Sequence, residues 1–68
     1  MPQSLELPVA VAKAFVRDMR AYFAERSELK RDEIAARQLH ALNELRRPRD
    51  KKLRLADVKE MFLEMRDQ

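Results

Sequence analysis

The sequence contains no glycine, and this absence constrains the fold more than any other feature. Glycine adopts positive φ without steric cost, and tight β-hairpins, phosphate-binding loops and left-handed helix caps depend on such positions. A chain without glycine is therefore unsuited to β-rich folds, and it lacks the P-loop and dinucleotide-binding fingerprints. The absence of cysteine also removes disulfides, thiolate metal sites and thiol nucleophiles. We expect an all-α fold without a cofactor.

Hydrophobic periodicity divides the chain into three amphipathic segments. From Pro8 to Arg26, apolar residues recur at steps of three and four, which is the spacing of one helix face. The second segment ends before Pro48, because a proline pushes the preceding residue out of the helical region. The sequence predicts one small three-helix domain, 1–68, with helices at about 8–26, 30–47 and 54–67 and a basic connector at 46–54.

The start of the second helix has more than one interpretation. In the first, Lys30 is the cap, and Leu29 packs on Ile34 across the entry turn. In the second, the helix starts earlier, and Ser27 is the better cap. Because neither glycine nor proline separates Phe23 from Ile34, one continuous helix through the first two segments is a third alternative.

Apolar residues on the inner helix faces define the expected core. These are Phe15, Val16, Met19, Phe23, Ile34, Leu42, Leu45, Val58, Phe62 and Met65. This predicted core does not include Val11, Leu39 or Leu63. Domains of this size bury only about 60% of the surface that their unfolded chain exposes. We therefore expect homodimerisation through helices one and three to complete the core, with a helix of another protein as the alternative partner.

Positive charge is concentrated in the connector, although the net charge of the chain is only +3. The cations are Arg46, Arg47, Arg49, Lys51, Lys52 and Arg54, and the single acid among them is Asp50. Such a cluster can neutralise phosphates. Binding of nucleic acid or another polyanion, assisted by Arg17 and Arg20, is thus the alternative function. A connector whose charges are simply solvated also fits the pattern.

Two helices carry stripes of opposite charge. Helix one has the basic residues Lys13, Arg17 and Arg20, and helix three has the acidic residues Asp57, Glu60, Glu64 and Asp67. We expect the acidic stripe to face the basic stripe or the connector, within a protomer or across a dimer, and so to fix orientation. The predicted protein interface combines Val11, Leu39 and Leu63 with Asp57, Glu60 and Glu64.

Residue types that support catalysis or metal binding are sparse. His40 is the only histidine, and with Glu44 one turn later it offers at most two ligands, whereas zinc sites need three or four. No candidate nucleophile lies near His40 in the sequence. We therefore expect neither an enzyme, nor a metal site, nor a small-molecule substrate.

Membrane and export signals are also missing from the pattern. No segment approaches the roughly 20 apolar residues of a membrane span. The apolar run from Leu5 to Val16 is not preceded by the basic residues of a signal peptide. The sequence thus predicts a cytoplasmic, non-enzymatic helical interaction or regulatory module that associates with itself.

Overall fold

A computed structural model describes residues 8–68, which form three α-helices. Helix α1 spans Val9–Ala24, α2 spans Glu28–Glu44 and α3 spans Leu55–Arg66. Both α1 and α3 pack on α2. The predicted all-α, three-helix class is confirmed. Residues 1–7 lie outside the described part of the chain, and so does the start of the apolar run that begins at Leu5.

A short extended turn separates α1 from α2, so the continuous-helix alternative is wrong. Glu25, just after α1, has φ −82° and ψ 134°. The Nε of Arg31 donates to the carbonyl oxygen of Glu25 at 2.6 Å. The Glu25 carboxylate accepts from the backbone N–H of Ser27 at 3.1 Å. No residue in the range 8–68 has a positive φ, so this turn uses only conformations that are open to residues other than glycine.

Ser27 caps α2, as the second interpretation of the sequence predicts. Its hydroxyl oxygen accepts from the backbone N–H of Lys30 at 3.4 Å, which satisfies one of the free N–H groups of the first turn. Capping by Lys30 is therefore wrong. The predicted packing of Leu29 on Ile34 is also wrong, because the helix starts two residues earlier than expected and leaves Leu29 77% exposed.

The connector between α2 and α3 is held by the side chain of Asn43. Its Nδ2 donates to the carbonyl oxygen of Leu53 at 3.1 Å, and its Oδ1 accepts from the backbone N–H of Leu53 at 2.8 Å. This two-way contact fixes the end of the connector beside the last turn of α2, which ends at Glu44 rather than at residue 47. At the start of α3, the Asp57 carboxylate accepts from the backbone N–H of Arg54 at 2.8 Å, which is one half of a capping box.

Within residues 8–68, five apolar residues form the buried core, and Phe62 is fully buried among them. The five are Phe15, Ala35, Leu42, Val58 and Phe62. The Phe62 ring centroid lies 5.1 Å from those of both Phe15 and Tyr22, within the range of favourable aromatic pairs. Phe62 therefore joins α3 to α1 through side chains.

The core predicted from the sequence agrees with the observed burial at seven of its ten positions and is wrong at three. Phe15, Leu42, Val58 and Phe62 are buried, and Met19, Phe23 and Met65 pack half-buried against them. Leu45, however, is 48% exposed, and Val16 and Ile34 are half-buried outside this core group. The inner side of α2 is instead built on Ala35, Gln38 and Leu42. Helix α2 is thus rotated about its axis relative to the prediction from apolar residues.

Replacing Asn43 with alanine is expected to lower the free energy of unfolding by about 1–2 kcal/mol, because the half-buried backbone of Leu53 loses both hydrogen-bond partners. Urea denaturation followed by circular dichroism measures this change. The matched control is Glu44→Ala on the exposed surface of the same helix, for which we expect less than about 0.5 kcal/mol. Equal effects of the two substitutions would show that the contact does not stabilise the fold.

Candidate functional site

On the side away from the core, helix α1 carries exposed apolar surface and three cationic side chains. We call this surface the α1 outer face, comprising Val9, Ala12, Lys13, Val16, Arg17 and Arg20. Val9 is 69% exposed, and the other five residues line a shallow hollow. The basic stripe predicted from the sequence therefore borders apolar surface that the rest of the described chain does not cover.

Helix α3 has an outer surface of opposite charge. We call it the α3 outer face, comprising Ala56, Glu60, Leu63, Glu64 and Asp67. Leu63 is 42% exposed, and the other four residues are exposed. The side chain of Lys59 lies elsewhere: its Nζ contacts the Asp32 carboxylate on α2 at 2.7 Å. This hydrogen bond raises the pKa of Lys59 and helps to hold α3 on α2.

The acidic stripe of α3 does not pair with the basic stripe of α1 in the folded chain. Asp57 pairs with Arg54 in its own first turn at 3.4 Å, and the backbone and side-chain hydrogen bonds from Arg54 lower the pKa of Asp57. Glu60 lies beside the connector, where it lines the same hollow as Arg54. Glu60 and Glu64 form no ion pair within residues 8–68. Pairing of the two stripes within a protomer is therefore wrong, whereas the alternative that the acidic stripe faces the connector is confirmed at Asp57, which pairs with the connector cation Arg54.

The three apolar residues assigned to an interface have different surroundings. Leu63 is exposed. Val11 and Leu39 are half-buried and pack against the core, so their expected position outside the core is wrong. Both residues lie on the inner sides of their helices, because Val11 precedes Phe15 by four residues and Leu39 follows Ala35 by four.

Several connector cations contact groups close to them in the chain. The Nε of Arg46 donates to the carbonyl oxygen of Lys51 at 2.6 Å. The Nζ of Lys52 donates to the carbonyl oxygen of Asn43 at 3.2 Å. These contacts place positive charge at the C-terminal end of α2, where the helix dipole favours it. A structural role thus accounts for part of the basic cluster.

Other connector cations lie beside acids or project into solvent. Arg47 lies 3.7 Å from Asp50, and Arg54 pairs with Asp57. Arg49 and Lys51 have exposed side chains. The connector therefore remains positive overall, but its charge is interspersed with carboxylates rather than forming a uniform patch.

A buried carboxylate, which is not among the functional residues predicted from the sequence, lies between α1 and α2. Asp18 has no exposed surface. Its Oδ2 accepts from the Nε2 of Gln38 at 2.7 Å, and its Oδ1 accepts from a terminal guanidinium nitrogen of Arg37 at 2.9 Å. Arg17 approaches the same carboxylate at 3.3 Å. Three side chains thus satisfy one buried charge.

The sequence contains a signal for this network. Asp18 lies between Phe15 and Tyr22 at steps of three and four, within the apolar stripe of α1. Gln38 lies between Ala35 and Leu42 with the same spacing in α2. A polar residue in the middle of an apolar stripe must be paired when it is buried, and two such residues at equivalent positions indicate a mutual contact.

Burial is the largest single influence on the pKa of Asp18, and it raises this pKa. Hydrogen bonds from two guanidinium groups and from the Gln38 amide together outweigh burial and hold the pKa below its ordinary value of 3.8. The same contact raises the pKa of Arg37. Asp18 therefore stays ionised at neutral pH and stabilises the contact between α1 and α2.

His40 lies on the exposed surface of α2, where its Nε2 is 3.2 Å from the Glu44 carboxylate. In residues 8–68 no group of three or more histidine, aspartate or glutamate side chains is arranged to hold a metal ion. Within the same range, none of the helices is long and apolar enough to cross a membrane.

Comparisons with known proteins identify no relative of this chain. No family model, no curated protein and no solved structure matches it.

Replacing Asp18 with asparagine is expected to lower the free energy of unfolding by about 2–3 kcal/mol at neutral pH, because Arg37 and Gln38 lose their shared charged acceptor. The pKa of Asp18 is lower in the folded state than in the unfolded state. Its stabilising effect is thus complete above about pH 4 and is lost as the pH falls through the folded-state pKa.

Chemical denaturation at a series of pH values tests this expectation. The stability curves of the wild type and Asp18→Asn should converge in acid and separate as the pH rises. Glu33→Gln, which removes an exposed charge from α2, is the matched control and should change stability by less than about 0.5 kcal/mol. A constant difference between wild type and Asp18→Asn across the acid range would contradict the assignment.

Proposed function

We propose that this protein is a non-enzymatic helical interaction module that associates with itself through α1 and α3. The observation that carries this proposal is the α1 outer face. One side of α1 builds the core, while the other carries an apolar stripe beside three cations, formed by the exposed Val9 and Ala12 and the half-buried Val16. Apolar surface next to charge is typical of a surface that docks onto a protein partner.

The size of the core supports the same proposal. Within residues 8–68, only five apolar residues are buried, and burial of apolar surface contributes roughly 25 cal/mol per Å². Covering Val9, Val16 and Leu63 in an assembly would therefore stabilise a small domain. Catalysis has less support, because His40 contacts Glu44 on an open helix surface, whereas substrates are bound in concave pockets.

Sedimentation velocity from about 1 μM to about 1 mM tests self-association, because this range covers binding free energies of about 8 to 4 kcal/mol. We expect the measured mass to rise from the monomer value of 8.1 kDa towards that of a dimer. Val16→Asp should shift the dimer to monomer, because it places a charge in the apolar stripe.

Leu29→Asp is the matched control, since it introduces the same charge at an exposed apolar position of α2 that belongs to neither outer face. It should leave self-association unchanged. A wild-type mass of 8.1 kDa across the whole concentration range would refute the proposal, and so would equal losses in the two variants.

We propose polyanion binding by the connector as a second candidate function. It is favoured by the hydrogen bonds of Asn43, Arg46 and Lys52, which hold the connector in place. Four of the connector cations line one hollow: Arg46, Lys51, Lys52 and Arg54. Such preorganisation lowers the entropy lost when an anion binds. The nearby acids Asp57 and Glu60 oppose binding, which is why this function ranks second.

Fluorescence anisotropy with generic duplex and single-stranded nucleic acid at about 50 and about 200 mM salt tests polyanion binding. We expect micromolar affinity at low salt and a loss of roughly 10²-fold at the higher salt. Arg49→Gln with Lys51→Gln should weaken binding, whereas Arg26→Gln with Lys30→Gln, which removes the same charge elsewhere, should not. Absence of binding at low salt would eliminate this candidate.

A further inference from the structure

The α3 outer face is complementary in charge to the α1 outer face, and both faces also carry apolar surface. Leu63 supplies exposed apolar surface, and the acids around it are exposed. Glu60 and Glu64 form no ion pair within residues 8–68. On α1, Lys13 and Arg20 are likewise exposed and form no ion pair in the described chain. Complementary charges that do not meet within one copy are thus available between copies.

The spacing of the two charge patterns is the same. The α1 cations Lys13, Arg17 and Arg20 lie at steps of four and three, and so do Glu60, Glu64 and Asp67 of α3. With a rise of about 1.5 Å per residue, each set spans roughly 10 Å along its helix. The apolar residues are placed in the same way, since Val16 and Leu63 each directly precede the middle charged residue. Helices packed side by side can therefore match both charge and apolar surface.

We propose that the α1 outer face of one copy packs on the α3 outer face of a second copy, and that two-fold symmetry repeats this contact in the opposite sense. This inference rests on the proposed self-association and specifies its partner surfaces. A two-fold arrangement uses each face once and closes the assembly as a dimer. Pairing α1 with α1 would oppose cations, and pairing α3 with α3 would oppose carboxylates, and such like-charge contacts disfavour an interface.

Exchange of charge between the two faces tests this arrangement. Lys13→Glu with Arg20→Glu reverses the charge of α1, and Glu60→Lys with Glu64→Lys reverses that of α3. Arg17 is left unchanged because it contacts the buried carboxylate of Asp18. Each double variant alone opposes like charges in both contacts, so we expect the dimer dissociation constant to rise at least about 10-fold.

The complementary combinations should recover the dimer. An equimolar mixture of the two double variants has one native and one charge-exchanged contact, and both are complementary. A single chain with all four substitutions has two charge-exchanged contacts. We expect sedimentation velocity to show recovery to within about 3-fold of the wild-type dissociation constant, which is a difference of under about 1 kcal/mol. Raising the salt concentration should weaken the dimer, because salt screens exposed charges.

Matched controls change net charge equally at exposed positions outside both faces. Lys30→Glu with Arg49→Glu controls for α1, and Glu33→Lys with Glu44→Lys controls for α3. Both controls should keep the wild-type dissociation constant. Thermal unfolding by circular dichroism verifies that every variant is folded.

The outcomes separate this inference from the proposed function. A wild type that dimerises, with double variants that dimerise as well as the controls, would overturn the α1–α3 contact and leave self-association in place. The same conclusion follows if both double variants dissociate and neither combination recovers the dimer. A wild type that stays monomeric across the concentration range overturns both proposals.

Discussion

The arrangement of α1 and α2 depends on the buried carboxylate of Asp18. An unpaired buried charge is destabilising by several kcal/mol, so the two helices can pack only where Gln38 and Arg37 reach it. The observed contacts, 2.7 Å to the Gln38 amide and 2.9 Å to the Arg37 guanidinium, meet this condition. They fix the rotation of α2, bring Ala35 against the core and leave Leu45 48% exposed. The contacts of one buried carboxylate thus decide which apolar residues of α2 are buried.

Helix α3 is attached to this pair by contacts of several kinds. Phe62 packs against two aromatic rings of α1, Lys59 pairs with Asp32 of α2, and Arg66 lies over the ring of Phe23 with its guanidinium carbon 4.6 Å from the centroid. These contacts all lie on the inner side of α3. On its opposite side, Leu63 is exposed and Glu60 and Glu64 form no ion pair in the described chain, and this is why an intermolecular role is proposed for that side.

Some basic residues of the connector make structural contacts, whereas others are exposed to solvent. Lys52 donates to the carbonyl oxygen of Asn43 in the last turn of α2, which satisfies one of the carbonyls that a helix end leaves free. Arg46 donates to the carbonyl oxygen of Lys51 within the connector. Arg49 and Lys51 are exposed. A count of cations alone therefore overstates the charge free to bind phosphate, which is one reason that association between outer faces ranks above polyanion binding.

Residue pattern alone was sufficient to predict the all-α class, the three helical segments and the residues that form the charged stripes, because helix periodicity and the absence of glycine act locally. The sequence also indicates that Ser27 is a better cap for α2 than Lys30. The burial of Asp18 and Gln38 and the exposure of Leu45 depend instead on how the helices pack, because the two polar residues stabilise the fold only together and lie 20 positions apart. The same long-range packing placed the stripes of α1 and α3 on surfaces that do not meet within one chain. Periodicity shows which residues share a helix face, but the partner that each face contacts is set by how the helices pack.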